Sequence, residues 1–427
     1  MRTADSVLAL SDHNYTGKLL RVLLADVQLI VLCFPFAELF VALPALAPLK
    51  PVTNALSAVM IALSAGYLLL MHKPGLRAEG AGPLLLFLCF LLASVTWADP
   101  WMRGDAVSFA TRTCFTVMQA FAIVAVSLEK QGYLLRMLKR YALGMTVLSF
   151  CFIMLFPDKA TWTVDDTPRV QSFFASPNNM GQFLAFAFLT LNFYNRKQFS
   201  LPMLLLLNAM LLFQFVKCDS MTSLGGSLLI LGVYHFKSLL RPLAIGIILL
   251  GLAMPYASLL QKNGTSDLGF MNRDLTFTGR SDVWDIMLGD LDARDRHLTG
   301  FGAGGYWPLE HEGFNPTTHM TELDWDPGQA HNGYLDVRVM GGFVGLTLFL
   351  IFLYPFLMTV FRKTTSAEGV VCLLVLVILF NNLTESSFFR AKHFYFVLLM
   401  VLFWYVQLKP ASADLPEAAG AEDSVRQ

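Results

Sequence analysis

AHNGYLDVRVMGGFVGLTLFLIFLYPFLMTV, from Ala330 to Val360, joins two kinds of sequence without a break. Its first nine residues include His331, Asn332, Asp336 and Arg338, and from Val339 onward there is no charge. As a helix rising about 1.5 Å per residue, the apolar part can cross a hydrocarbon core of about 30 Å. Comparable apolar stretches lie at 19–41, 52–71, 83–98, 106–127, 138–156, 178–194, 200–216, 220–236, 241–260, 368–383 and 392–408. Those at 83–98, 178–194, 200–216 and 368–383 are short enough for one to be re-entrant. The chain is 55% hydrophobic and only 15% charged, where soluble domains carry about 25% charged residues. A chain this apolar needs lipid as part of its solvent. The expected fold class is therefore an all-α polytopic membrane protein with about 12 transmembrane helices.

Lys and Arg set the expected orientation. They recur in alternate segments: Arg2, Lys18 and Arg21; Lys73 and Arg77; Lys130, Arg136, Lys139 and Arg140; Arg196 and Lys197; Lys237 and Arg241; Arg362 and Lys363; Lys409. The positive-inside bias puts these segments and both termini in the cytoplasm. The implied organisation is an N-terminal tail at 1–18, nine spans over 19–260, a long outer loop at 261–332 that contains short helices, three spans over 333–408, and a disordered tail at 409–427. Net charge is zero, which gives no basis for nucleic-acid binding. The six cysteines all fall in or beside apolar stretches, so neither a disulfide framework nor a cysteine metal site is expected.

Four polar constellations cluster on the outer side. In Thr278–Trp284, Ser281 reads as an N-cap, followed by a helix with Trp284, Met287, Leu288 and Leu291 on one stripe lying on the membrane surface. Arg280 beside that helix N-terminus either holds an oxyanion or pairs with Asp282 or Asp285. In Ala330–Arg338, His331 is either a general base at the membrane boundary or a packed imidazole bonded to backbone. Arg338, about two turns into its span, is a costly charge expected to face a polar cavity. In Arg169–Gly181, Ser176 as N-cap and Pro177 at the first helical position start a span, with Arg169 above it. Finally, Lys217 and Ser220 open the eighth span, near Asn381, Asn382 and Glu385 at the end of the eleventh. Such residues either cap and join helices or touch substrate.

Other patterns carry less. Gly300, Gly302 and Gly305 match G-x-G-x-x-G without a βαβ unit and read as a flexible turn. Asp290/Asp292 and Asp324/Asp326 are chance pairs in an acidic loop, and His311-Glu312 lacks a second histidine, so no metal site is expected. Asp26, Glu38 and Arg112 lie within spans, as internal pairs or as marks of a polar path.

The ordered words RVQSFFASPNNMGQ, DSMTSL, TGRSDVW, GFGAGGYW, AHNGYLDVRVMGG and NNLTESSF, from Arg169 to Phe388, resemble the O-antigen ligase and Wzy-type polymerase superfamily, nearest its exopolysaccharide polymerase branch. The resemblance implies a GT-C-like, inverting, metal-independent glycosyltransferase without cofactor in a bacterial inner membrane. Its donor would be an undecaprenyl-pyrophosphate-linked glycan, used at the periplasmic face. Its acceptor would be another carrier-linked glycan in a polymerase, or lipid A-core in a ligase. The lipid bilayer and envelope polysaccharide assembly proteins are further expected partners. By motif position Arg280 and His331 are the catalytic pair, with Arg169, Asn178, Lys217, Ser220, Arg338, Tyr334 and Glu385 around the substrate. Where many relatives carry an arginine near the start of the eighth span, this chain has Met221 or a neighbour, with Lys217 close by. A secondary transporter is the competing reading, and a non-enzymatic scaffold of an envelope complex is a third.

Overall fold

The computed structural model describes residues 17–70, 80–130, 132–164, 167–194, 198–262, 279–308, 318–323, 327–362 and 366–408. Residues 1–16 and 409–427, the Asp324/Asp326 pair, His311-Glu312 and the basic residues Lys73, Arg77, Arg196, Lys197 and Lys363 lie outside them.

Every expected span holds a helix. In chain order these are α1 (Gly17–Cys33), α2 (Phe36–Ala42), α3 (Pro44–Leu70), α4 (Ala81–Trp97), α5 (Pro100–Ser127) and α6 (Tyr133–Leu155). A two-stranded antiparallel hairpin follows, β1 (Thr161–Val164) and β2 (Thr167–Val170), with Trp162 opposite Arg169. It is a small β insertion that hydropathy did not predict. Then come α7 (Pro177–Phe193), α8 (Leu201–Cys218), α9 (Met221–Tyr234), α10 (Leu240–Lys262), α11 (Arg280–Ala293), α12 (Gly333–Val360), α13 (Ser366–Asn381) and α14 (Phe394–Gln407). Among the described residues, six helices are long and apolar enough to cross a membrane, or seven if the bent pair α1–α2 is one span. The chain is an α-helical membrane protein. Shorter apolar helices stand where full crossings were expected at α4, α9, α13 and α14. The 14 residues of α14 reach only about 21 Å at 1.5 Å each.

Two of these short helices, α13 and α14, are central. Val370–Leu379 of α13 and Tyr395–Trp404 of α14 are buried on every face. A helix that is apolar all round belongs inside a bundle. Helix α3 is the opposite case, with only 17% of its apolar window buried by protein.

Two helices are broken. Pro35 cannot continue α1, because it lacks an amide donor and its ring clashes with the preceding turn; α1 and α2 meet at 50°. Helix α12 breaks at Gly342 (φ 61°, ψ −158°). The segment 297–302 enters that gap and completes the interrupted ladder. Phe301 and Gly302 donate to the carbonyls of Val339 and Met340, each at 2.9 Å, while Phe343 and Val344 donate to His297 (2.8 Å) and Leu298 (3.1 Å). The glycine segment is thus docked, not the flexible turn expected, because the buried backbone groups freed by the break demand partners. A Cβ on Gly342 would stand 2.3 Å from the Leu298 carbonyl. Gly342→Ala is expected to lose about 1–3 kcal/mol from its backbone angles alone. Thermal melting in detergent should show a clear drop in midpoint, and an unchanged midpoint would contradict the threaded break.

Candidate functional site

Helix α11 begins at Arg280, capped by Gly279 at φ 81° rather than by the expected Ser281. Its apolar stripe does not lie on the membrane surface. Val283, Trp284, Met287 and Leu291 are wholly buried and pack on Phe301, Tyr306, Leu335 and Val339. The Trp284 indole donates to the Ala330 carbonyl at 2.7 Å. That bond ties α11 to the residue before His331, so burial of the stripe positions Arg280 near the imidazole.

His331 itself has φ 50°, a conformation that costs an L-residue about 1–2 kcal/mol. Its neighbours hold it there. Asn332, fully buried, accepts from the amides of Tyr334 and Leu335 at 3.0 Å each as the α12 cap, and donates to the Gly251 carbonyl at 3.0 Å. Gly333 donates to the Asn382 carbonyl at 2.9 Å. A Cβ at Gly333 would fall 2.1 Å from Asn382 Oδ1. The H-N-G triplet is thus a turn locked to the α13–α14 loop.

That loop supplies the centre of the site. Asn382 folds it by accepting from the Ser387 amide at 3.0 Å and donating to the Ser387 hydroxyl at 2.7 Å, which turns Glu385 inward. Arg280 Nη2 donates to Glu385 Oε1 at 3.1 Å, and His331 Nδ1 lies 3.3 Å from Oε2. Asn178 Nδ2 donates to Oε1 at 2.6 Å, and Gln329 Nε2 to Oε2 at 3.1 Å. The side chains are 18% exposed for Arg280, 17% for His331 and 8% for Glu385, so the guanidinium and the imidazole stay reachable while the carboxylate is enclosed. Burial pushes the Glu385 pKa up, but His331, Arg280 and the Asn178 amide together outweigh it and hold the carboxyl below its usual range. Burial lowers the Arg280 pKa, opposed by Glu385 and reinforced by nearby Arg169; a guanidinium nonetheless stays charged.

Gln329 Nε2 is also 3.2 Å from His331 Nδ1. One nitrogen cannot both donate to Glu385 and accept from this amide. The ionised carboxylate is the stronger partner, so the network assigns the proton to Nδ1 and leaves the Nε2 lone pair outward.

Arg169, on β2, donates to the carbonyls of Cys218 (3.2 and 3.0 Å) and Asp219 (2.9 Å) and to Asn178 Oδ1 (3.1 Å). Asn178 thus bridges it to Glu385. Its position rests on the expected start of α7, where Ser176 accepts from the Asn179 amide at 3.1 Å and Pro177 is the first helical residue.

The remaining candidates fall elsewhere. Tyr334 is fully buried, donates to the Leu379 carbonyl at 3.1 Å and packs edge-on to Phe388; it joins α12 to α13 and does not face the cluster. Ser220 is buried, donates to Ser223 at 3.1 Å and presses on Gly181, where a Cβ would meet it at 2.3 Å; it is a packing residue. Lys217 is exposed on the last turn of α8, and among the described residues no hydrogen bond or ion pair joins it to the cluster. Arg338 is buried against two rings. Its guanidinium carbon stands 4.4 Å from the Phe343 ring centre and 5.2 Å from that of Tyr256, with Nη2 at 3.3 Å from His297 Nδ1. Cation–π contact replaces hydration there. Asp26 pairs with Arg140 and accepts from Tyr133, away from this site.

Sequence reasoning missed Gln329, which had no signal beyond lying two residues before His331. It also missed Arg390. Arg390 donates to the Gly328 carbonyl at 3.0 Å and sits 3.7 Å from Asp336, whose other oxygen accepts from Trp307 at 2.8 Å. This strap closes the loop that carries Gln329 and His331. Beside it lies a chamber of about 490 Å³ whose wall includes Asn179, Gly328, Asp336 and Arg390, but not Arg280, His331 or Glu385. Among the described residues no group of three or more His, Cys, Asp or Glu is placed to hold a metal. No family model matches the chain, and no curated protein matches it in sequence.

Proposed function

We propose that the chain is a GT-C-like glycosyltransferase of about twelve crossings in a bacterial inner membrane. It would move a glycan from an undecaprenyl-pyrophosphate carrier to a sugar hydroxyl at the periplasmic face, most simply to extend a surface polysaccharide. The observation that carries this reading is the convergence of Arg280 and His331 on the two oxygens of one enclosed carboxylate, with Arg169 one residue away through Asn178.

The chemistry follows from those groups. The acceptor oxygen attacks the anomeric carbon from the face opposite the carrier and gives its proton to His331 Nε2. The bond from that carbon to the carrier phosphate breaks, and the diphosphate leaves with the electron pair. Glu385, bonded to Nδ1–H, steadies the imidazolium that forms, as a carboxylate does in other base dyads. Among the described residues only one Arg280 donor is committed, to Glu385, and the others can meet the developing phosphate charge in a partly dry site.

The test is reconstitution with carrier-pyrophosphate glycans, with and without lipid A-core and with chelator. Guanidinium groups supply the positive charge in this scheme, so transfer is expected at an unchanged rate in chelator. A product ladder without core identifies a polymerase, and a single core-linked product a ligase. No transfer to either acceptor would overturn the reading. The broken helices α1–α2 and α12 favour a secondary transporter as the second reading, since transporters bind cargo at such breaks. Against it, the ladder of α12 is already filled by 297–302. Substrate-dependent uptake into proteoliposomes without covalent transfer would select it.

A further inference from the structure

The chamber beside the site has a wall the transferase scheme does not use, and two polar atoms of that wall lack partners. Gln182 lines it from α7 and is 2% exposed. Its main-chain carbonyl accepts from the Tyr395 hydroxyl at 2.7 Å, but its side-chain Nε2 has no hydrogen-bond partner among the described residues. Asp336 lines the chamber from α12. Its Oδ1 accepts from Trp307, while Oδ2 is buried without a hydrogen bond, 3.7 Å from Arg390 Nη2. A buried polar atom left unpaired is costly, and each one in a native fold calls for a reason. Here one atom donates and the other accepts. A ligand that satisfies both must do both, as a hydroxyl does. The last torsion of a glutamine is broad and roughly twofold, so the Gln182 amide can turn either end to the chamber.

The rest of the wall has the same two-sided character. Asn179, on α7, and Asn54, on α3, line it, and neither side chain makes a hydrogen bond among the described residues. Thr53 and Ser57 share that face of α3. Their hydroxyls donate to the carbonyls of Lys50 and Thr53 at 2.9 Å each, which leaves the oxygens able to accept. Beside these polar groups lies an aromatic surface. The rings of Phe34 and Phe36 are 4.6 Å apart, and Phe174, Phe183 and Phe394 form a second run with centres 5.4 and 5.9 Å apart. An aromatic face carries the negative side of a quadrupole. It attracts the C–H bonds on the flat side of a sugar ring, whose hydroxyls then point outward to amides and carboxylates.

We infer that this chamber is the acceptor subsite of the proposed transferase. It holds a sugar ring with its hydroxyls on Gln182, Asn179, Asn54 and Asp336 and its C–H face on the phenylalanine wall. The acceptor role rests on the transfer reaction proposed for the chain; the affinity for sugar rests on the chamber alone. Two stretches of chain join the chamber to the cluster. Asn179 of the wall follows Asn178, which bonds Glu385, and Gly328 of the wall precedes Gln329, which bonds Glu385 as well. The wall does not include Arg280, so the donor diphosphate is met outside it and the accepting sugar is the substrate that fits within.

The test is native mass spectrometry of the full chain in micelles of tetraethylene glycol monooctyl ether, titrated separately with octyl β-glucoside, octyl β-galactoside, octyl β-mannoside and octanol. The detergent carries the same tail without a sugar, so binding in its presence reports the ring. At least one glycoside is expected to saturate a single site, and octanol none. Gln182→Leu and Asn54→Leu should each weaken that glycoside about tenfold, or about 1.4 kcal/mol. Gln182→Leu should melt no lower than the wild type, because it removes a buried amide whose Nε2 has no partner among the described residues. Asn54 is exposed, so its variant keeps the test sound if Gln182→Leu fails to fold. Arg280→Ala and His331→Ala should bind the glycoside as tightly as the wild type. No saturable site for any of the three glycosides would overturn the sugar site, and equal binding of octanol would reduce it to a pocket for tails. Unchanged affinity in both Gln182→Leu and Asn54→Leu would overturn the location. Glycan transfer without glycoside binding would overturn the chamber site and leave the transferase standing. Glycoside binding without transfer to any acceptor would keep the sugar site and overturn its acceptor role together with the transferase.

Discussion

Replacing His331 by alanine is expected to slow glycan transfer by about 10²–10⁴-fold, the usual contribution of a positioned general base. Without the imidazole Glu385 keeps Arg280, Asn178 and Gln329 as partners, so the melting temperature should move by only a few degrees. The locked φ of 50° comes from Asn332 and Asn382 rather than from the ring, so the turn should persist. Arg280→Ala should also abolish measurable transfer, for a different reason: it removes the charge that meets the leaving diphosphate. Exogenous imidazole should restore part of the rate to His331→Ala and none to Arg280→Ala. Wild-type transfer in both purified variants would remove the catalytic assignment.

Glu385→Ala is expected to be the most destabilising single change in the site, by about 3–5 kcal/mol. Breaking a buried ion pair leaves the other charge without compensation, and here one carboxylate serves Arg280, His331, Asn178 and Gln329 together. Glu385→Gln keeps the shape but turns an amide donor toward other donors, so it should lose less stability and still lose transfer. The pH dependence has a definite sign. The folded-state pKa of Glu385 lies below its ordinary value, so its contribution is complete above the unfolded value of about 4.3 and disappears as pH falls through the folded one. Melts of wild type and Glu385→Gln should therefore differ most at neutral pH and converge in strong acid. A constant gap across that range would mean that Glu385 is not ionised in the folded protein.

The α12 start shows how far local pattern reaches. Its long apolar run, and the Ser176-Pro177 start of α7, follow from hydropathy and capping chemistry, which act within a few residues of chain. The same logic misplaced the α11 stripe. Trp284, Met287 and Leu291 satisfy a helical apolar period equally well against lipid or against protein, and only the position of Leu335 and Val339 decides between them. Arg338 shows a similar limit. A charge in a span needs a partner, but the sequence does not show that the partners are His297 and two rings. Tyr334 and Ser220 sit in suggestive words, yet their hydroxyls serve neighbouring helices.

From residues alone came the solvent of this protein, the places where its helices run and the candidacy of Arg280 and His331. These follow from hydrophobic burial, from spacing at short range and, for the pair, from the order of motifs. Only the folded bundle decided that both side chains meet at Glu385, which is 105 residues from Arg280 and 54 from His331. It alone decided that Gly342 opens a gap for 297–302, and that Gln182 and Asp336 share a chamber with α3. An ion pair across loops depends on how buried helices such as α13 and α14 stack, and stacking is set by shape complementarity among apolar side chains that leave no periodic trace in the sequence.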